Sequence, residues 1–166
     1  MHFSAKSPGL SPHLLIAIRA AEGGDGDPRE DSGRQLRACE DEGVLIAQGV
    51  QKQLVACDMH RPLDWLRHRA LVIGYVCGMA ETAQPFAGGV ARWASALICL
   101  SGLSALLGSE WNEDALSAET QRLREQEHPG YIAGVRAAKR DHLLIQEGKT
   151  ADTLTRSIID REMQYR

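Results

Sequence analysis

The sequence contains few aromatic residues and no marked excess of charge of either sign. Phe, Trp and Tyr make up 5% of the 166 residues, and aromatic residues are among those that favour strands. The net charge of -3 at pH 7 does not resemble the basic composition of a nucleic-acid-binding protein, so we expect no nucleic-acid partner. Hydrophobic residues at 43% and charged residues at 25% are ordinary proportions for a globular domain. We therefore expect one packed, all-helical domain.

Motifs that identify common enzyme classes are missing as well. The sequence contains no Walker loop, no dinucleotide-binding glycine motif, no G-x-S-x-G and no H-E-x-x-H. The N-terminus lacks the basic and apolar regions of a secretion signal. No two cysteines have C-x-x-C spacing, and each lies among apolar residues. We therefore expect a cytoplasmic protein in which the four thiols are reduced, buried and unreactive. These cysteines are Cys39, Cys57, Cys77 and Cys99. We expect no cofactor.

The middle of the chain carries almost no charge. Segment 70–109 contains only two charged residues, Glu81 and Arg92, which flank a turn that contains Pro and Gly. Uncharged helices on either side of such a turn can bury all of their faces. We predict a central helical hairpin in which Ala70–Gln84 packs antiparallel to Gly89–Leu107.

Small residues on both arms of this hairpin allow a close approach of the two helices. We expect Leu97 and Leu100 of the second arm to be buried. The small residues expected at the contact are Gly74, Gly78, Ala91 and Ser95.

The remaining helices surround this hairpin. Ser11-Pro12 is a good helix start, and apolar residues then recur at helical spacing in several segments up to the C-terminus. We predict an extended tail over residues 1–10 and a single bundle of five to seven helices over residues 11–166.

Two groups of polar residues are candidate sites. Glu81 and Arg92 could form a buried ion pair, or an ordinary pair at the mouth of the hairpin, which we favour because buried charge is costly. Cys57, His60 and His68 carry side chains that bind zinc, but their spacing matches no metal motif. His128 and His142 could join them only through folding, so we expect no metal.

Glu22 is a candidate catalytic residue. It ends a short apolar helix and is followed by a Gly-rich polar loop and Ser32-Gly33-Arg34-Gln35. Over about 20 residues this stretch resembles the opening of the lysozyme-like lytic transglycosylases. The resemblance implies a peptidoglycan-cleaving hydrolase with Glu22 as the general acid. The Gly-x-x-Gln turn and the Tyr-Asn-x-Gly motif of that family are not reproduced.

A membrane-associated hairpin is a further alternative. Gly74 and Gly78 have the G-x-x-x-G spacing of membrane helix pairs. Each uncharged arm is shorter than the roughly 20 apolar residues that a membrane span requires. We therefore favour a hairpin in a protein core.

Binding of another protein is the function that we expect. A complete apolar core without a convergent catalytic set is typical of a chaperone, an inhibitor, an immunity protein or a bacterial or phage adaptor. The partner is another protein or a second copy of the chain. The last predicted helix can either pack on its own core or lie across a partner. The residues expected at such an interface are Trp111, Leu154, Ile158, Ile159 and Met163.

Overall fold

The structure, a computed structural model, describes residues 28–83, 92–108 and 111–166. In these residues the chain forms six α-helices and one 3-10 helix, with no strand. The predicted all-α single domain is confirmed. The predicted tail, the first predicted helix and the turn of the central hairpin lie outside the described residues. The helices are α1 (Pro28–Val55), the 3-10 helix (Pro62–His68), α2 (Arg69–Thr82), α3 (Arg92–Leu107), α4 (Glu113–Glu125), α5 (Pro129–Gln146) and α6 (Thr153–Gln164).

Two helices begin where the sequence provides a cap. The side chain of Asn112 accepts a hydrogen bond of 2.8 Å from the amide of Asp114 at the start of α4. At the start of α5, His128 accepts from the amide of Gly130 at 3.1 Å, and Pro129 occupies a first-turn position that needs no donor. These caps fix where the C-terminal helices start relative to the core.

The core lies where α1, α2 and α3 meet, and α4, α5 and α6 each add side chains to it. Leu97 and Leu100 are buried, as predicted. Fully buried side chains come from all six α-helices. They include Leu54, Ile73, Ile98, Leu116, Ala138 and Ile158.

The closest helix contact joins α2 to α5. Gly74 lies against the backbone of Tyr131, and an added Cβ at Gly78 would lie 2.7 Å from Ala138 Cβ. In the opposite direction, an added Cβ at Gly134 would lie 2.6 Å from the Tyr75 amide nitrogen and closer still to the Leu71 carbonyl. The sequence pattern assigned the small face of α2 to the second arm of the hairpin, and that pairing is wrong. The spacing of Gly74 and Gly78 identifies a close contact but not the helix that fills it.

The helix α3 contacts α2, where an added Cβ at Gly102 would lie 3.1 Å from Val76 Cγ1, which is consistent with the predicted hairpin. It also packs closely against α1. An added Cβ at Gly43 would lie 2.6 Å from Ser101 Cβ and 2.8 Å from the Gly102 amide nitrogen. The Ser101 hydroxyl donates to the Glu40 carbonyl at 3.1 Å. The second small-residue contact of the bundle is therefore between α1 and α3.

The two arms of the predicted hairpin are linked covalently. Cys77 of α2 and Cys99 of α3 form a disulfide, with Cα atoms 5.0 Å apart. The prediction of four reduced thiols is wrong for this pair, because the fold places two isolated cysteines opposite each other. Cys39 and Cys57 are free. Burial raises the pKa of Cys39 to about 11 and also raises that of Cys57, so both thiols stay protonated at neutral pH and are weak nucleophiles.

We expect Gly134→Ala to lower the free energy of unfolding by about 1–3 kcal/mol, because the added methyl group forces the backbones of α2 and α5 apart. The matched control is Gly33→Ala in α1, where an added Cβ meets nothing within 4 Å. Removing a helical glycine there should raise stability by about 0.5–1 kcal/mol. Urea denaturation of both variants gives the comparison. Equal stabilities would contradict the close packing of α2 on α5.

Candidate functional site

The most unusual buried group is the carboxylate of Asp141 on α5. Its side chain is fully buried, with 0% exposure. Oδ2 accepts from the Tyr75 hydroxyl at 2.6 Å and from Gln53 Nε2 at 3.1 Å, and Oδ1 accepts from the Thr153 amide at 3.0 Å. Buried carboxylates are tolerated only when donors compensate for their lost hydration. Three donors from three other helices do so here.

Gln53 extends this network to the start of α6. Its Nε2 also donates to the Tyr75 oxygen at 2.9 Å, and its Oε1 accepts from the Thr155 amide at 3.1 Å. The Thr155 hydroxyl donates to the Gln53 carbonyl at 3.1 Å. The first amides of a helix have no intrahelical acceptor. The side chains of Asp141 and Gln53 therefore provide the acceptors that the helix itself lacks.

Tyr75 is a hydrogen-bond donor in this network at all physiological pH values. Burial, followed by its hydrogen bond to Asp141 and the charge of that carboxylate, raises the pKa of the Tyr75 phenol far above its usual range. The phenol thus remains protonated and donates to the carboxylate. This arrangement neutralises no charge, but it distributes the charge of Asp141 over several dipoles.

An open cleft of about 550 Å³ lies over one side of the network. It is bounded by α1, by the ends of α2 and α5, and by residues 150–155 at the start of α6. Gln53 and Tyr75 form part of its wall. The volume lies in the range of ligand-binding clefts. Its apolar lining consists of Leu45, Ile46, Val50, Ala56, Met79, Ile145 and Ala151.

The mouth of the cleft exposes apolar side chains. Leu45 is 60% exposed and Ile145 is 50% exposed, and both contribute to the lining. Gly49 is one of the α1 residues that line the cleft, and an added Cβ at this position meets nothing within 4 Å. The cleft can therefore accept an apolar group without rearrangement of the bundle.

The predicted interface residues divide into two groups. Leu154 and Ile158 are fully buried in the core of their own chain, whereas Ile159 and Met163 are exposed. The helix α6 thus packs on its own core through one face, which is the alternative that the sequence left open. Trp111 is partly buried, and the Arg69 guanidinium lies 3.5 Å from the centre of a Trp111 ring. None of the five lines the cleft.

The structure does not bring the candidate metal ligands together. His60 contacts Asp58 at 2.9 Å, buried His68 contacts Glu162 at 2.6 Å, and the Cys57 thiol lies 3.6 Å from the Thr155 carbonyl. Within residues 28–83, 92–108 and 111–166, no group of three or more His, Cys, Asp or Glu side chains could hold a metal ion. The hydrogen bond from His68 lowers the pKa of Glu162, which indicates a role in attaching α6 to the 3-10 helix.

The other two candidates fall partly or wholly outside the described residues. Glu81 is exposed, which agrees with the ordinary pair at the mouth of the hairpin that was favoured over a buried one. The side chain of Arg92 is not among those described, so the pair itself stays a prediction. Glu22 lies in the undescribed N-terminal part of the chain. Of the stretch that resembles the lytic transglycosylases, Ser32-Gly33-Arg34-Gln35 is described and lies within α1.

Comparison with known proteins identifies no family. No protein-family model, curated protein or solved structure matches the chain. Among the helices that the structure describes, none is both long and apolar enough to cross a membrane. The geometry of the cleft and its hydrogen-bond network is therefore the basis for a functional proposal.

Sequence reasoning missed the three residues at the centre of the site: Gln53, Tyr75 and Asp141. A signal was present in α5, where Gly134, Ala138 and Asp141 recur at helical spacing on the face that packs on α2. An acidic residue on a buried helical face predicts a hydrogen-bonded carboxylate. The identity of its donors depends on how four helices pack, which no local pattern specifies.

We expect Tyr75→Phe and Asp141→Asn each to lower the free energy of unfolding by about 1–3 kcal/mol, because each leaves a buried polar group without its partner. The loss of stability in the double variant should be smaller than the sum of the two single losses by about 0.5–3 kcal/mol. Denaturation of the four proteins measures this coupling. Tyr75→Phe combined with the exposed Asp160→Asn is the control pair and should be additive. Additivity in the first pair as well would contradict the network.

Proposed function

We propose that this protein binds another protein chain and that apolar side chains of the partner enter the cleft beside α1. The observation that carries the proposal is the open apolar cleft between the exposed residues Leu45 and Ile145. Apolar groups that a monomer leaves exposed around a concave surface are typical of interaction sites. A chaperone, an inhibitor, an immunity protein or an adaptor would each use such a surface.

Hydrogen bonding in the cleft wall supports binding over catalysis. The donors and the acceptor of the Gln53 amide are engaged by Tyr75, Asp141 and Thr155. The Tyr75 hydroxyl donates inward to Asp141 rather than toward the cleft. A catalytic acid or base requires a reactive atom within reach of its substrate, whereas these polar atoms bond to one another.

The partner is a different protein or a second copy of this chain. A cytoplasmic location stays a prediction from the cysteine spacing. The Cys77–Cys99 disulfide argues for an oxidising environment.

We expect Gly49→Leu to block the cleft without disturbing the fold, because the new side chain enters open space. Gly33→Leu is the matched control, since Gly33 lies in the same helix, has equal space and does not line the cleft. Light scattering tests self-association of the purified proteins. Quantitative mass spectrometry of tagged protein isolated from its source cells tests partner binding.

The wild type and Gly33→Leu should form the same complex with the same stoichiometry, and Gly49→Leu should lose it by about tenfold or more. Circular dichroism verifies that all three chains are equally folded. A complex that survives unchanged in folded Gly49→Leu would show that binding does not use the cleft.

A further inference from the structure

The Cys77–Cys99 disulfide lies inside the bundle rather than on its surface. Cys77 is 1% exposed and Cys99 is 5% exposed. Exchange of a disulfide begins when a thiolate attacks one of its sulfur atoms, so the rate depends on access to those atoms. In the folded chain a reductant in solution therefore has almost no access to this bond.

Close helix contacts on both sides keep the two cysteines covered. Gly78, next to Cys77 on α2, packs so closely on α5 that an added Cβ would lie 2.7 Å from the nearest α5 side chain. Ser101, two residues after Cys99 on α3, donates to the Glu40 carbonyl of α1 at 3.1 Å. Because a packed interior has few voids, a reductant can reach the sulfur atoms only when helices separate.

The free thiols of the chain cannot start the exchange from within. Cys39 is fully buried and Cys57 is partly buried. Burial raises the pKa of Cys39 to about 11 and also raises that of Cys57. A thiol attacks a disulfide only as its thiolate, and both thiols are protonated at neutral pH. The bond is therefore isolated from solvent and from the other cysteines.

The same barrier applies to the formation of the bond. Oxidation transfers two electrons and two protons from the thiols of Cys77 and Cys99 to the disulfide of an oxidant. One cysteine thiolate first attacks that disulfide, which gives a mixed disulfide and releases one thiol of the oxidant. The second cysteine thiolate then attacks the sulfur of the first cysteine, which closes the Cys77–Cys99 bond and releases the second thiol of the oxidant. Both steps require sulfur atoms that an external reagent can reach.

We propose that Cys77 and Cys99 are oxidised before the helices pack over them, and that the finished fold then protects the bond from dithiol reductants. The chain that has not yet folded is thus the substrate of a thiol-disulfide oxidoreductase. Disulfides form and persist in oxidising compartments, so this is where the protein acts. Once formed, the bond is a permanent link between α2 and α3 and not a redox switch. This inference is independent of the cleft and its partner.

Reduction kinetics test the protection of the bond. The oxidised protein is incubated with dithiothreitol in buffer or in concentrated urea, samples are quenched with iodoacetamide, and mass spectrometry counts the alkylated cysteines. We expect reduction in buffer to be slower than in urea by about 100-fold or more, because folded domains open slowly and rarely. Peptide mapping verifies that the slow reaction belongs to Cys77 and Cys99.

Two variants test whether the reductant enters when helices separate. Gly134→Ala, which forces α2 and α5 apart, should be reduced in buffer about tenfold faster than the wild type, because its opened form is more populated. Gly33→Ala, where an added Cβ meets nothing within 4 Å, is the matched control and should be reduced no faster than the wild type. In urea all three chains should react at the same rate.

The reverse experiment tests the order of oxidation and folding. Oxidised glutathione is added to the reduced chain either in urea or after dilution into buffer, and the loss of free Cys77 and Cys99 thiols is followed. We expect this loss to be about 100-fold slower when folding comes first. A reduced chain that circular dichroism shows to remain unfolded until the bond has formed would establish the same order.

Three outcomes would overturn the proposal. Reduction of the folded protein at the rate measured in urea would make the bond an accessible and reversible switch. Equal rates of oxidation before and after folding would show that no order is required. Four free thiols in folded protein isolated from a bacterial periplasm would show that an oxidising compartment does not form the bond.

Discussion

The buried carboxylate of Asp141 is the constraint on which the rest of the site depends. A charge with no access to water is strongly destabilising unless donors surround it. The donors come from Gln53 of α1, Tyr75 of α2 and the first amide of α6. Because these groups belong to separate helices, a single carboxylate fixes the relative positions of four of them. The positive end of the α6 dipole adds a further favourable contribution.

The glycine contact between α2 and α5 makes this arrangement possible. Gly74 and Gly134 let the backbones of α2 and α5 approach within a distance that any side chain would prevent. The Tyr75 hydroxyl of α2 can therefore reach the Asp141 carboxylate of α5. The same network attaches the start of α6, which forms one wall of the cleft. The shape of the cleft therefore depends on the hydrogen bonds to Asp141, and these hydrogen bonds depend on the close packing of α2 on α5. A binding surface supported in this way needs little reorganisation when a partner arrives.

Sequence patterns predicted the local structure better than the partners of each helix. The burial of Leu97 and Leu100 and the all-α class follow from apolar spacing. The Gly74–Gly78 face was recognised as a contact surface, yet its partner is α5. The Cys77–Cys99 disulfide and the donors of Asp141 depend on residues far apart in sequence. Spacing within one helix contains no information about such pairs.

The central claim is that Asp141 and Gln53 hold the start of α6, and hydrogen exchange at Thr153 and Thr155 tests it most directly. Amides in the first turn of a helix have no intrahelical acceptor and ordinarily exchange fast. Both amides should be protected in the wild type. The variant Asp141→Ala, which removes the acceptor of the Thr153 amide, should abolish the protection of Thr153, while the amide of Ile158 in the middle of α6 remains protected. Fast exchange of Thr153 and Thr155 in the wild type, or unchanged protection of Thr153 in Asp141→Ala, would contradict the claim.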